Sequence, residues 1–301
     1  MSFISYLING ISLGSVYALI ALGYTMVYGI AKMLNFAHGD VIMIGSYIVF
    51  TIVSSIQYPA NFPNWVPMLL GITASVIFCT VLGVSIEKVA YKPLRGASSL
   101  AVLITAIGVS YFLQNLALLI FGANTKSFTS IVNFEPIKLF GGQITITDET
   151  VVTIITCLVI MIVLILFVNK TKAGQAMLAV SEDRGAAQLM GINVNGTISL
   201  TFAIGSGLAA IAGMLLCSSY PSLTPYTGSM PGIKAFVAAV FGGIGSIPGA
   251  FIGGIILGII EILSRAYISS QLSDAIVFMV LIIVLLVKPT GILGKKIQEK
   301  V

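Results

Sequence analysis

His38 is the only histidine in the chain, and it stands two residues before Asp40 in the run Asn35-Phe36-Ala37-His38-Gly39-Asp40. An imidazole beside a carboxylate can hold and pass a proton. The run lies between two apolar stretches, where ionisable groups are costly and mark function. Gly39 frees the backbone, so a broken helix here would turn carbonyls and amides toward a pathway. The other reading is a cytoplasmic turn with a helix cap, since Asn35 and Asp40 suit non-helical positions. Glu261 and Arg265 are four residues apart, acid first, the order that favours an ion pair along a helix. They read either as an ion pair near the outer interface or as part of a solute path. Asn35, His38, Asp40 and Glu261 are thus the candidate translocation residues.

Residues 242–249 read Gly-Gly-Ile-Gly-Ser-Ile-Pro-Gly. The run lacks the lysine and spacing of a phosphate loop, and it follows an apolar helix rather than a strand. A tight hairpin between membrane helices fits it better. No GxSxG, no HExxH and no second histidine completes a catalytic centre. Cys79, Cys157 and Cys217 all lie inside apolar runs without a CxxC pair, so they read as small buried hydrophobes. No metal site is implied.

The elements that carry these residues are membrane helices. The 301 residues are 57% hydrophobic and 8% charged, with a mean hydropathy of +1.08. Soluble domains carry roughly 25% charged residues, so the solvent here is mostly lipid. Apolar runs recur at residues 3–30, 41–55, 66–89, 100–121, 151–168, 197–218, 233–240, 250–263 and 276–287. The second, seventh and eighth are short for a bilayer and predict either extension into their flanks or broken helices. The expectation is an all-α polytopic membrane protein of eight to ten helices. Gly14 and Gly23 leave room for a kink in the first. The small-residue pairs Gly10/Gly14, Gly249/Gly253 and Gly254/Gly258 predict close helix packing within one subunit.

Loop charge predicts the orientation. Lys32, Lys88, Lys92, Arg95, Lys170, Lys172, Arg184, Lys288, Lys295, Lys296 and Lys300 collect on one side, which is then cytoplasmic. Lys126, Lys138, Lys234 and Arg265 fall on the other, with the acids Glu135, Asp148 and Glu149. The C-terminus is then inside, and the loop 122–150 outside. The N-terminus is outside if the first run crosses once. The net charge of +5 comes from short loops without aromatic interleaving, which argues against nucleic acid as a partner.

One stretch breaks the pattern. Residues 170–193, KTKAGQAMLAVSEDRGAAQLMGIN, form a polar island between two long apolar runs. Ser181 is placed to cap a helix whose first turn holds Glu182 and Asp183, where the dipole favours acids. Gly191 suits the left-handed end of that helix. Leu189 and Met190, with Ala186 and Ala187, give it an apolar side. A short helix before it carries Met177, Leu178 and Val180. Two short helices joined near Ser181 make a knob, which is either a docking surface or an ordinary loop with a helical turn.

Several segments resemble LivH-type permeases of branched-chain amino acid ABC importers. They are GISLGSVYALIALGYTMVYGIAKMLNFAHGD (10–40), SIEKVAYKPLR (85–95), LITAIGVSYFLQN (103–115), the long run 213–261 and VKPTGILG (287–294). The similarity covers nearly the whole chain and is weakest in the loop 122–150. It implies one permease domain over 1–301 with a cytoplasmic coupling segment at 170–193, in the cytoplasmic membrane. It implies as partners a LivM-like permease, two ATP-binding subunits that hold the ATP and Mg, and an extracytoplasmic amino-acid-binding protein. No cofactor is then bound by this chain, which is no enzyme itself. The family pattern of the coupling segment falls on Gly174, Ala176, Ala179, Glu182, Asp183, Leu189, Gly191 and Ile192. The same machinery with urea or short amides as cargo is the alternative, and a proton-coupled secondary transporter using His38, Asp40 and Glu261 is a further one.

Overall fold

The computed structural model describes residues 2–55, 65–128, 136–139 and 144–294. Glu135, Lys295, Lys296 and Lys300, which entered the orientation argument, lie outside the described residues. In chain order the elements begin α1 (Ser2–Ala31), α2 (His38–Phe50), α3 (Trp65–Ile86) and α4 (Ser99–Phe121). Three short strands follow, β1 (Lys126–Ser127), β2 (Ile137–Leu139) and β3 (Ile144–Ile146). Next come α5 (Asp148–Lys170), α6 (Lys172–Glu182), α7 (Arg184–Leu189), α8 (Val194–Ser219) and β4 (Ser222–Leu223). The last are α9 (Ser229–Gly242), α10 (Ile247–Tyr267) and α11 (Ser273–Val287). Six helices are long and apolar enough to cross a membrane, and α2, α9 and α11 are shorter apolar ones. Together these fall within the expected range. α1 is helical throughout, so Gly14 and Gly23 make no break in it. α2 continues as a π-helical turn, Thr51–Ser55, and α3 as another, Glu87–Tyr91.

The strands were not anticipated. β1 pairs antiparallel with β4 and β2 with β3, which gives backbone groups in these connections hydrogen-bond partners.

Two compact units divide the chain. One takes the described residues of Met1–Thr25, Glu135–Leu166 and Lys234–Val301. The other takes those of Met26–Phe134 and Phe167–Ile233.

In the first unit, small residues set the packing. A Cβ on Gly14 would lie 2.7 Å from Ile255 Cα, and one on Gly10 would lie 2.8 Å from Ile259 Cα. Gly254 and Gly258 answer from α10, against Ala18 and Gly14. Gly249 and Gly253, on a different face of α10, meet Gly242 and the Ala238 carbonyl of α9. Both small-residue pairs of α10 are thus spent inside the unit, as their spacing predicts. Gly243 and Gly245, both at positive φ, form the hairpin between α9 and α10, and Ser246 caps α10 on Gly249. The segment after α11 closes onto this hairpin, because Ile292 and Leu293 donate to the carbonyls of Phe241 and Gly242 at 2.9 Å.

In the second unit α2 is enclosed by α3 and α8. Val41, Ile42, Met43 and Tyr47 are wholly buried, which explains a helix that is apolar all round. Ser75 Oγ donates to the Gly45 carbonyl at 2.9 Å, and Gly45 rides on Ala210 of α8. All three cysteines of the chain are buried, as expected.

Both units expose large apolar side chains. Ile77, Val81, Ile104, Phe112 and Leu119 do so in the second unit, and Val159, Val163, Met279, Ile283 and Leu286 in the first. Apolar faces of this extent are unfavourable in water and natural in lipid.

Candidate functional site

Three polar constellations stand out, two in the second unit and one in the first. The Asn35–Asp40 run is the first. Its backbone turns at Asn35, whose carbonyl accepts from His38 N–H at 3.1 Å, and α2 then starts at His38. Asn35, Ala37, His38 and Asp40 are all buried. The run does turn into a helix, but neither Asn35 nor Asp40 caps it, and both side chains find their partners on neighbouring helices. Tyr91 Oη donates to Asn35 Oδ1 at 2.9 Å. Gln114 Nε2 donates to Asp40 Oδ1 at 2.9 Å, and lies 3.2 Å from Ser110 Oγ and 3.3 Å from Ser229 Oγ. Gly39 lets the start of α2 sit on Gly228, where a Cβ would come within 2.5 Å of the Gly228 carbonyl. The result is a hydrogen-bonded polar seam through apolar helices, anchored on a buried carboxylate.

The second constellation is the polar island. α6 starts at a Thr171 cap, with Thr171 Oγ1 accepting from Gly174 N–H at 3.0 Å. Gly174 lies against the backbone of Phe167 and Val168, so no larger residue fits there. Met177 and Val180 are buried. The chain then breaks at Asp183, whose Oδ1 accepts from Ala186 N–H at 3.0 Å and caps α7. The expected cap, Ser181, lies inside α6 and donates to the Leu178 carbonyl instead, while Glu182 ends α6. An acid side chain caps as well as a hydroxyl, and the extended backbone at Asp183 decides between them. Gly191, at φ 82°, ends α7, and Ile192 N–H reaches back to the Ala187 carbonyl at 3.0 Å. The apolar side of α7 is split. Ala187 is buried, while Leu189 is 90% and Met190 83% exposed.

Beside this knob Glu87 is wholly buried and accepts from Arg95 and, at 2.6 Å, from Ser199 Oγ. Arg95 also bonds Asn195. Arg184 donates to the carbonyl of Ala31, the last residue of α1. Burial first, and then the nearby Arg95 charge, hold the Arg184 guanidinium below its ordinary value. A cleft of about 300 Å³ opens between these two arginines, with Gln188, Asn193 and Asn195 on its walls.

The third constellation is ionic and belongs to the first unit. Glu261 has no exposed surface and accepts from Lys234 Nζ at 2.7 Å, from Tyr17 Oη at 2.9 Å and from Arg265. Lys234 also pairs with Asp274 at 2.7 Å. The expected Glu261–Arg265 pair is there, but as one edge of a four-charge network rather than an interfacial pair. Lys234 is no loop charge. It is buried inside α9, within the apolar run 233–240 itself.

Residues 6–285 match the family described as the branched-chain amino acid transport system permease component. The chain belongs to this permease family. It is 48% identical to the high-affinity branched-chain amino acid transport system permease protein LivH of Salmonella typhimurium, over 99% of this chain and 98% of that protein. It is 44% identical to the corresponding protein BraD of Pseudomonas aeruginosa, over 99% and 98%. A probable branched-chain amino acid transport permease protein LivH of Methanocaldococcus jannaschii is 30% identical over 92% and 88%.

In this permease Asn35, His38 and Asp40 come together, and Glu261 stands in a different constellation. Gly174, Ala176, Ala179, Glu182, Asp183, Leu189 and Gly191 all fall on the α6–α7 knob. Tyr91, Ser110, Gln114 and Ser229 were not singled out from the sequence. Tyr91, Ser110 and Gln114 lie in the family-like segments 85–95 and 103–115, so a polar residue inside a matched apolar run was the available signal.

Proposed function

We propose that this permease is one membrane subunit of an ATP-driven importer that carries leucine, isoleucine and valine across the cytoplasmic membrane. The observation that carries the reading is the family match over residues 6–285, borne by high identity to LivH proteins along the full chain. A LivM-like permease completes the path, two ATPase subunits bind ATP and Mg, and an extracytoplasmic binding protein delivers the amino acid. The chain itself binds no cofactor and catalyses no reaction. Its C-terminus and residues 170–193 face the cytoplasm.

The α6–α7 knob is the ATPase contact in this reading. It is capped at both ends yet presents Leu189 and Met190 to solvent. An apolar tip is exposed to water only at a cost, and a partner surface removes that cost. Closure of the ATPases on ATP would move the knob and shift the path between outward and inward access. Asn35, His38 and Asp40 line the path in this reading, and Glu261 anchors the ionic network of its own unit.

The test is leucine uptake by proteoliposomes holding the whole complex. Uptake should require ATP inside the ATPase compartment and be competed by isoleucine and valine. Uptake that proceeds without ATP and collapses with a protonophore would overturn the reading.

A further inference from the structure

We infer that Arg184 is the positioning residue that ties the ATPase-contacting knob to the end of α1, and through it to the Asn35–Asp40 run. The inference rests on the proposal that α6–α7 contacts the ATPase.

The last carbonyls of a helix have no partner within it. In α1 one of them, on Ala31, accepts from the Arg184 guanidinium, 153 residues away. A cation also suits the negative end of the helix dipole. Arg184 is the first residue of α7, directly after the Asp183 cap, so its backbone moves with the knob. Ala187 is the one buried residue of α7, and Arg184 and Gln188 of the same helix line a cleft. Packing therefore holds α7 only lightly, which leaves the Arg184 bond as a principal tether.

The other end of the tether leads to the polar seam. Lys32, at φ 52°, turns the chain out of α1, and three residues later Asn35 is pinned by Tyr91. Neither Lys32 nor the short link after it belongs to a helix, so a pull on Ala31 is passed to Asn35 over a few residues. A displacement of α7 that keeps the Arg184 bond must then move the end of α1. One that breaks it leaves the seam behind.

The experiment compares Arg184→Ala, Arg184→Gln and Arg184→Lys in the purified complex, in proteoliposomes, reading co-purification, ATP hydrolysis and leucine uptake together. Arg184→Ala should hydrolyse about tenfold more ATP per leucine moved than the unaltered complex, a loss within the usual range of coupling between sites. Arg184→Lys, which can still donate to the Ala31 carbonyl, should recover most of the coupling. Should Arg184→Ala fail to insert, Arg184→Gln keeps a neutral donor and should lie between the two. Equal falls in hydrolysis and uptake, or an unchanged ratio in Ala and Gln alike, would overturn the inference. Loss of the ATPase from Arg184→Ala would make Arg184 a contact rather than a tether. Loss of the ATPase contact assigned to the knob is read separately, from Asp183→Arg, so the two failures are distinguishable.

Discussion

Lys234 Nζ stands 2.7 Å from Glu261 Oε1, and the Glu261 carboxylate has no exposed surface. The pair links α9 to α10. Tyr17 brings in α1, and Asp274 brings in α11. Two basic and two acidic side chains balance to zero, which is the condition under which charges persist away from water.

The network predicts an order of damage. Removing one partner of a buried pair strands the others, so Glu261→Ala should cost about 3–5 kcal/mol. Asp274 is 42% exposed at its side chain, so Asp274→Asn should cost less than about 1 kcal/mol. Thermal unfolding in detergent, followed by size exclusion, gives the comparison. Equal losses would show that the network is not centred on Glu261.

Two helical glycines should respond in opposite directions. A Cβ on Gly258 would run into the backbone of Gly14, so Gly258→Ala should destabilise by about 1–3 kcal/mol through overpacking. A Cβ on Gly108 would meet nothing within 4 Å, and there Gly→Ala should stabilise by about 0.4–1 kcal/mol by restricting the unfolded chain. The same detergent assay decides, and a stabilising Gly258→Ala would refute the close approach of α1 and α10.

Hydropathy made the helices legible, because lipid demands long apolar runs whatever the fold. Their ends were less so. α9 starts at Ser229, before its apolar run, and Lys234, counted among the loop charges although it falls in that run, lies well inside the helix. The hairpin at 242–249 and the left-handed Gly191 were readable, since positive φ selects glycine. The choice of Asp183 over Ser181 was not, because both cap equally well and only the backbone break distinguishes them. Long-range partners were hidden throughout. Nothing local to Gln114 says that it meets Asp40, or local to Arg184 that it meets Ala31. Small-residue spacing identified faces of α10 without saying which helix each would meet.

The Gln114–Asp40 bond predicts non-additive behaviour. Gln114→Leu leaves a buried carboxylate short of a donor and should cost about 1–3 kcal/mol. Asp40→Asn removes the charge that needs the donor. The double variant should therefore cost less than the sum of the singles by more than about 0.5 kcal/mol, the threshold for coupled neighbours. Simple additivity in thermal unfolding would mean that the two side chains do not act as a pair.

The exposed tip of α7 separates stability from assembly. Leu189 is 90% exposed, so Leu189→Asp should change the stability of the permease by no more than about 0.5 kcal/mol. If the tip is an anchor for the ATPase, its loss should weaken association by about 2 kcal/mol, or roughly thirtyfold. Asp183→Arg should weaken association too, with about 1 kcal/mol of added instability from the lost α7 cap. Pull-down of the ATPase at graded concentration, beside thermal unfolding of the permease alone, measures both quantities. A Leu189→Asp permease that retains its ATPase and transports leucine normally would move the contact elsewhere on the permease, and Asp183→Arg would then report only the cap.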